Sequence, residues 1–253
     1  MSERRLEHVM GMPVRVEVRD RGVGEVALDA VYAWLRVVDA RFSPFRADSE
    51  ICRLDRGQLS PRDAHPDVRE VLARCERLRA ATGGYFEARA GGALDPCGLV
   101  KGWAVDRAGA LLAAAGARRF CIDAGGDVLL RGGPWRVGVR HPRRRDRLAA
   151  ALELCDAAVA TSGAYERGAH VLDPVGGGPA RGALSATVVG RELATADACA
   201  TAAFAMGARG PAWTARLRGA EAMTVLDDDR VLCTEGFGRH RLALVAPSVA
   251  TRR

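Results

Sequence analysis

Lys101 is the single lysine of a chain whose Lys+Arg total of 38 is otherwise all arginine. An ammonium is a compact point charge and a guanidinium a planar fork, so the two do not substitute for each other at a fitted site. One retained lysine therefore marks either a position that rejects the fork or a chance residue on a solvated surface. Asp95 and Asp106 flank it, and Gly98 and Gly102 would let a ligand come close to the backbone. A second pair, Asp197 and Thr201, stands four apart, on one face of a helix. A carboxylate with a hydroxyl is hard-oxygen chemistry, suited to Mg²⁺ and unsuited to zinc. The same spacing also fits a capping Asp with a Thr bonded back into its own helix. Thr161-Ser162-Gly163 offers hydroxyls to phosphate or forms a polar turn. His170, one of five histidines, is a candidate general base or a structural residue at a strand edge. Together these residues suit an anionic, phosphorylated ligand held with a hard metal ion.

The elements that must position them follow from periodicity. Residues 9–18 alternate around Val14, Val16 and Val18 as a half-buried strand, with Met10-Gly11-Met12-Pro13 at its start. Leu28, Val31, Leu35 and Val38 define an amphipathic helix to about Asp39, and Asp48-Ser49-Glu50 caps a short helical turn. A second helix runs from His65-Pro66-Asp67 to the stop Thr82-Gly83-Gly84. A third begins at Lys101 and ends at Gly116, which places the lysine near a helix N-terminus, where anions are favoured. Strands follow over 119–130, broken at Ala124-Gly125-Gly126-Asp127, then around Trp135, at 151–161, 170–172 and 183–189. An Ala-rich helix opens at Thr195 and runs to about Met206. A short helix surrounds Trp213, and a hairpin joins 223–226 to 231–234. Helix and strand without a regular βαβ period predict an α+β fold. The chain is expected to form a single domain over 1–253, with two lobes possible at about 1–118 and 119–253.

Composition narrows the function classes. The net charge of +7 comes from 38 basic against 31 acidic residues, a mild excess. Its densest run, His141 to Arg147, is a Pro-marked loop that reads as a solvated face in preference to a nucleic-acid patch. Seven cysteines stand singly, with no CxxC, so neither a zinc site nor a disulfide framework is expected. Reduced thiols, the polar N-terminus and the lack of a long apolar run predict a cytoplasmic protein without membrane insertion. Gly125-Gly126 and Gly132-Gly133 match neither the dinucleotide fingerprint nor the P-loop, and there is no G-x-S-x-G elbow.

Set in order, eight segments resemble the ApbE family of FAD:protein FMN transferases. Met10-Gly11 resembles its MGT block, and Phe42 to Glu50 its S-x-[YF]-x-x-x-SE block. Thr82 to Glu87 is similar to TGGxFD, Asp95 to Asp106 to D-x-x-G-I-A-K-G-x-A-V-D, and Asp123 to Asp127 to the GGD turn. Thr161 to Tyr165, His170 to Pro174 and Thr195 to Thr201 resemble TSGxY, HIxDP and TADAxxT. The resemblance implies an ApbE-like fold, mixed or antiparallel sheets with flanking helices around a ligand cleft.

It further implies an FAD site built from Met10, Phe45, Tyr85, Phe86, Glu87, Asp95 and Lys101. Mg²⁺ would bind the Asp197 and Thr201 side chains and a backbone oxygen at Gly98. The implied reaction transfers FMN from FAD to a Thr or Ser hydroxyl of a protein partner, releasing AMP, with His170 accepting the hydroxyl proton. Water in the acceptor's place would make the same site an FAD pyrophosphatase, and a chain without turnover would be a flavin-binding protein. Met12 stands where the family's Thr is usual, Glu87 replaces an Asp, one His remains where many members have two, and the segment from Glu87 to Asp95 is short.

Overall fold

The computed structural model describes residues 3–163 and 171–242. Eleven strands are described: β1 Glu3–Val9, β2 Met12–Val18, β3 Phe120–Ala124, β4 Asp127–Arg131, β5 Trp135–Arg140, β6 Leu148–Leu154, β7 Ala158–Gly163, β8 Ala183–Gly190, β9 Glu221–Leu226, β10 Val231–Cys233 and β11 Arg241–Leu242. The α-helices are α1 Glu25–Phe42, α2 Glu50–Asp55, α3 Pro66–Ala81, α4 Cys97–Ala114, α5 Leu193–Ala205 and α6 Gly210–Thr214. Eight strands form one antiparallel sheet in the order β1-β2-β3-β4-β7-β8-β9-β10, and three form a second in the order β11-β6-β5.

Period-two alternation sorts the large sheet's side chains onto two buried faces. Leu129, Ala158, Ala160 and Val188 join the main core with α1, α4 and α5. Their neighbours Val128, Leu130, Val159 and Val189 join a second core with Trp135, Leu152, Leu154 and Phe237, under the small sheet. Three layers result: helices, large sheet, small sheet. β2 pairs with β3, Val14 opposite Ala124, so the large sheet crosses the possible lobe break at 118/119.

Two strand expectations are corrected. The run 9–18 holds the expected strand from Met12 to Val18, but Val9 ends an unexpected first arm, Glu3–Val9, with which that strand forms a hairpin. Residues 3–8 look polar because β1 is a sheet edge with every second residue exposed. Met10 and Gly11, both at positive φ (56° and 70°), make its two-residue turn. The run 151–161 is two strands in different sheets, separated at Cys155-Asp156-Ala157, with Asp156 at φ 47°. Its apolar content is continuous because both strands feed the same second core. Of the expected strand 170–172, Leu172 forms an isolated bridge to Pro179, and His170 lies outside the described residues.

Both key helices start earlier than their periodicity suggests. α4 begins at Cys97, where the Asp95 carboxylate accepts the Cys97 N–H at 2.9 Å, so Lys101 stands in the second turn and not at the N-terminus. α5 begins at Leu193, so Asp197 is not its cap. That task falls to Asp106 of α4, which accepts the Leu193 and Ala194 N–H groups, each at 2.9 Å. At the crossing, a Cβ on Gly102 would lie 2.5 Å from the Leu193 carbonyl and 2.6 Å from the Ala194 Cα, so only glycine lets the two backbones meet. Trp103 is buried beside Trp34 and Phe42, its indole N–H donated to Glu70 at 3.1 Å. The basic run is tied down, Arg143 reaching Asp229 Oδ1 (2.9 Å) and the Asp227 carbonyl (2.6 Å) in the β9–β10 turn.

Candidate functional site

The α4–α5 crossing brings three charges of the chain together. Lys101 Nζ, five residues before Asp106, forms a close ion pair with Asp127 Oδ2 and pairs with Asp197 Oδ1 at 3.6 Å. Asp127 is the first residue of β4, delivered there by the two-residue turn Gly125-Gly126, whose positive φ values (61° and 96°) suit a tight hairpin. Its other oxygen accepts the Thr161 N–H at 2.9 Å, and the Thr161 hydroxyl bonds that of Thr187 at 2.9 Å. Asp197 and Thr201 share a face of α5, and Thr201 Oγ1 is 3.2 Å from Ser162 Oγ of β7. Gly98 closes the group, since a Cβ there would lie 3.8 Å from Thr201 Oγ1 and 3.2 Å from the Phe86 ring.

Asp127 and Asp197 are 2% and 4% exposed, so both carboxylates are dehydrated. Burial pushes the Asp197 carboxyl above the usual carboxylate range, Lys101 pulls it back, and Asp127 pushes it further up. Asp197 Oδ2 is buried with no hydrogen-bond partner among the described residues. Leaving such an oxygen unmatched is costly, and a bound cation would satisfy it. No cluster of three or more His, Cys, Asp or Glu side chains among the described residues could hold a metal. The donors present are carboxylate, hydroxyl and backbone oxygen, a set that fits a hard cation sharing its shell with phosphate and water.

Of the remaining expected residues, the structure brings Phe86 against Gly98 and leaves others with local partners or exposed. Phe86 is buried against Gly98. Tyr85 lies under Arg209, whose guanidinium is 5.2 Å from the ring centroid, and its buried hydroxyl has no partner among the described residues. Glu87 pairs with Arg79 at 2.7 Å and accepts the Arg89 N–H at 2.9 Å, so its carboxylate is already engaged by protein. Asp95 is exposed at the start of α4. Met10 forms the β1–β2 turn, packed on the main core, and that turn lies beside the Gly125-Gly126 turn, since Gly125 N–H donates to Pro13 at 3.1 Å. Phe45 is 94% exposed in the loop after α1. His170 lies outside the described residues. The loop after it returns against the Thr82–Glu87 block, Val175 lying 3.6 Å from where a Cβ on Gly84 would be.

Sequence reasoning assigned no role to Asp127. The available signal was an acid opening a strand whose following residues, Val128-Leu129-Leu130, are all apolar, which predicts burial on both faces of a sheet.

The fold, a three-layer α+β arrangement, is shared with flavin transferases of known structure. The ApbE protein from Thermotoga maritima superposes with a TM-score of 0.86 at 23% identity, over 96% of this chain and 100% of that one. Flavin transferase ApbE from Vibrio cholerae gives 0.83 at 21%, over 95% and 99%. The ApbE family model matches residues 10–94 and 87–224, and the chain belongs to the ApbE family. Curated relatives include an FAD:protein FMN transferase of Rhodobacter capsulatus, 34% identical over 164 residues, and one of Treponema pallidum, 31% identical over 216. These alignments take in 60% and 72% of this chain, which spans 31% and 59% of those relatives' lengths.

Proposed function

We propose that this chain transfers FMN from FAD to a Thr or Ser hydroxyl of a protein substrate. The acceptor oxygen forms a phosphodiester with the flavin-side phosphorus, the pyrophosphate P–O bond breaks, and AMP leaves. The observation that carries this reading is the convergence of Lys101, Asp127, Asp197, Thr201 and Gly98 in a chain of this family. Asp197, Thr201 and the Gly98 carbonyl would hold Mg²⁺, which when bound offsets charge on the phosphoryl oxygens. Lys101 supplies a second positive charge to the pyrophosphate. Met10, Phe45, Tyr85, Phe86 and Asp95 form the remaining FAD contacts, and Glu87 joins them only by exchanging its bond to Arg79 or to the Arg89 N–H; the buried Tyr85 hydroxyl has no hydrogen-bond partner among the described residues. His170 accepts the acceptor's proton, a task for which imidazole basicity is suited.

We read residues 1–253 as one domain, since the large sheet draws strands from both sides of residue 118. The thiols, none of which is in a disulfide, support a reading of cytoplasmic residence.

Incubation with FAD, Mg²⁺ and a protein bearing a Thr or Ser acceptor motif, followed by intact mass, tests the reading. An FMN-sized gain on the target with AMP release is expected. AMP and free FMN with an unmodified target would establish hydrolysis instead, and no FAD consumption would reject both.

A further inference from the structure

Lys101, partly buried, and Asp197, buried, already form a loose ion pair through Asp197 Oδ1 at 3.6 Å. Left to themselves, they would close into a tighter pair, and the ammonium would crowd the place a cation needs. Asp127 opposes this. Its Oδ2 takes Lys101 Nζ at closer range, and its Oδ1 is anchored by the Thr161 N–H, which holds the carboxylate on the sheet side of the ammonium. With both carboxylates ionised, as a bound cation would favour, two carboxylates and one ammonium give this trio one net negative charge, while Asp197 Oδ2 has no hydrogen-bond partner among the described residues.

We propose that Asp127 is a positioning residue: it holds Lys101 off Asp197 and so keeps Asp197 open to the metal. The proposal rests on the metal-binding reading above, but concerns a residue that reading does not use. Asp127→Asn keeps the oxygen that accepts the Thr161 N–H and removes the charge that retains Lys101. The ammonium then pairs more closely with Asp197, and the trio becomes neutral. Lys101→Met removes the competitor and leaves two negative charges. The double variant Asp127→Asn/Lys101→Met returns the trio to one negative charge with Asp197 uncontested.

The test is Mg²⁺ binding to the FAD-free protein by calorimetry, with thermal melts to verify folding. Asp127→Asn is expected to weaken Mg²⁺ binding at least about tenfold, as loss of one charge within a few ångströms of a divalent ion requires. Lys101→Met is expected to bind more tightly than wild type, and the double variant to return to within about threefold of wild type. Because Lys101 is the only lysine, lysine labelled with ¹⁵N at Nζ gives one side-chain resonance. That resonance should shift in Asp127→Asn without metal, and respond to Mg²⁺ in wild type. Equal Mg²⁺ affinity in Asp127→Asn, or a double variant as weak as Asp127→Asn, overturns the positioning role while leaving the metal reading intact. If Asp127→Asn does not fold, weaker binding in Lys101→Met overturns it alone. Wild type that binds no Mg²⁺ and shows no response in the lysine signal overturns the metal reading and the proposal with it.

Discussion

α1 and α4 are both 18 residues long and pack against each other, yet they use charge in opposite ways. α1 is amphipathic: Leu28, Val31, Tyr32, Leu35, Val38 and Phe42 are buried, and its charged residues reach outward or pair at the surface, as Arg36 does with Glu7. α4, like its partner α5, is enclosed on most sides. Its buried set runs through Leu99, Val100, Gly102, Trp103, Ala104 and Val105, with no single apolar stripe. On the first kind of helix a charge goes to water by default and tells little about function. On the second, every charge must meet a partner, so Lys101, Asp106 and Asp197 each have an assignable task.

The comparison breaks most visibly at Asp197. Asp197→Asn should lower AMP release from FAD by about a thousandfold, through loss of a metal ligand. The metal-free protein should melt no lower than wild type, because Asn fills the same volume and removes a charge buried beside Asp127. Arg36→Ala on α1, a surface position, should leave turnover unchanged. Steady-state AMP release and thermal melts on both variants decide the matter. If Arg36→Ala costs as much turnover as Asp197→Asn, enclosure is not what singles out a functional charge.

Next in size is the crossing itself. Gly102→Ala places a methyl 2.5 Å from the Leu193 carbonyl, and backbone on both sides has no side-chain end that can yield. A loss of about 3 kcal/mol or more is expected from forced separation of the helices. Val26→Ala on α1, at a position 82% exposed, should change stability by less than about 0.5 kcal/mol. Denaturant melts of the pair measure the difference, and a Gly102→Ala variant as stable as wild type would show that α4 and α5 can separate freely.

The same contrast explains how much the sequence discloses. α1, α3 and the β9–β10 hairpin are legible because a one-sided apolar pattern and a turn signal fix both type and extent. α4 and α5 are legible as helices but not in their first residues, because enclosed helices lose the periodicity that marks a start, and the cap of α5 comes from Asp106, 87 positions away. The Asp197–Thr201 pair and the lone Lys101 declare themselves by residue type and spacing. Asp127 does not: its meaning depends on a sheet register that places β4 beside β7 and beneath α4, which no local pattern encodes. The polar β1 is hidden for the opposite reason, since an edge strand has water on one side and needs only alternate apolar residues.

The smallest expected effect concerns Asp106, the charge that α4 uses for structure. Burial raises its carboxyl above the usual range, while the Ala194 and Leu193 N–H groups pull it partly back. The sign of the pH dependence follows. Below the ordinary carboxylate range the group holds its proton in both folded and unfolded chains. Above its raised folded value it holds none in either. Between the two, the folded chain alone binds the proton, so stability falls as pH rises through that window and is flat beyond it. Asp106→Asn keeps one acceptor for two N–H donors and should cost about 1 kcal/mol at neutral pH. It also removes the titration, so the gap between wild type and variant should narrow as pH rises from about 4 toward 7. Urea melts across that range measure the gap. A gap that widens with pH would mean that the two backbone hydrogen bonds outweigh burial, and that even an enclosed carboxylate can be held as a net favourable charge by a helix terminus alone.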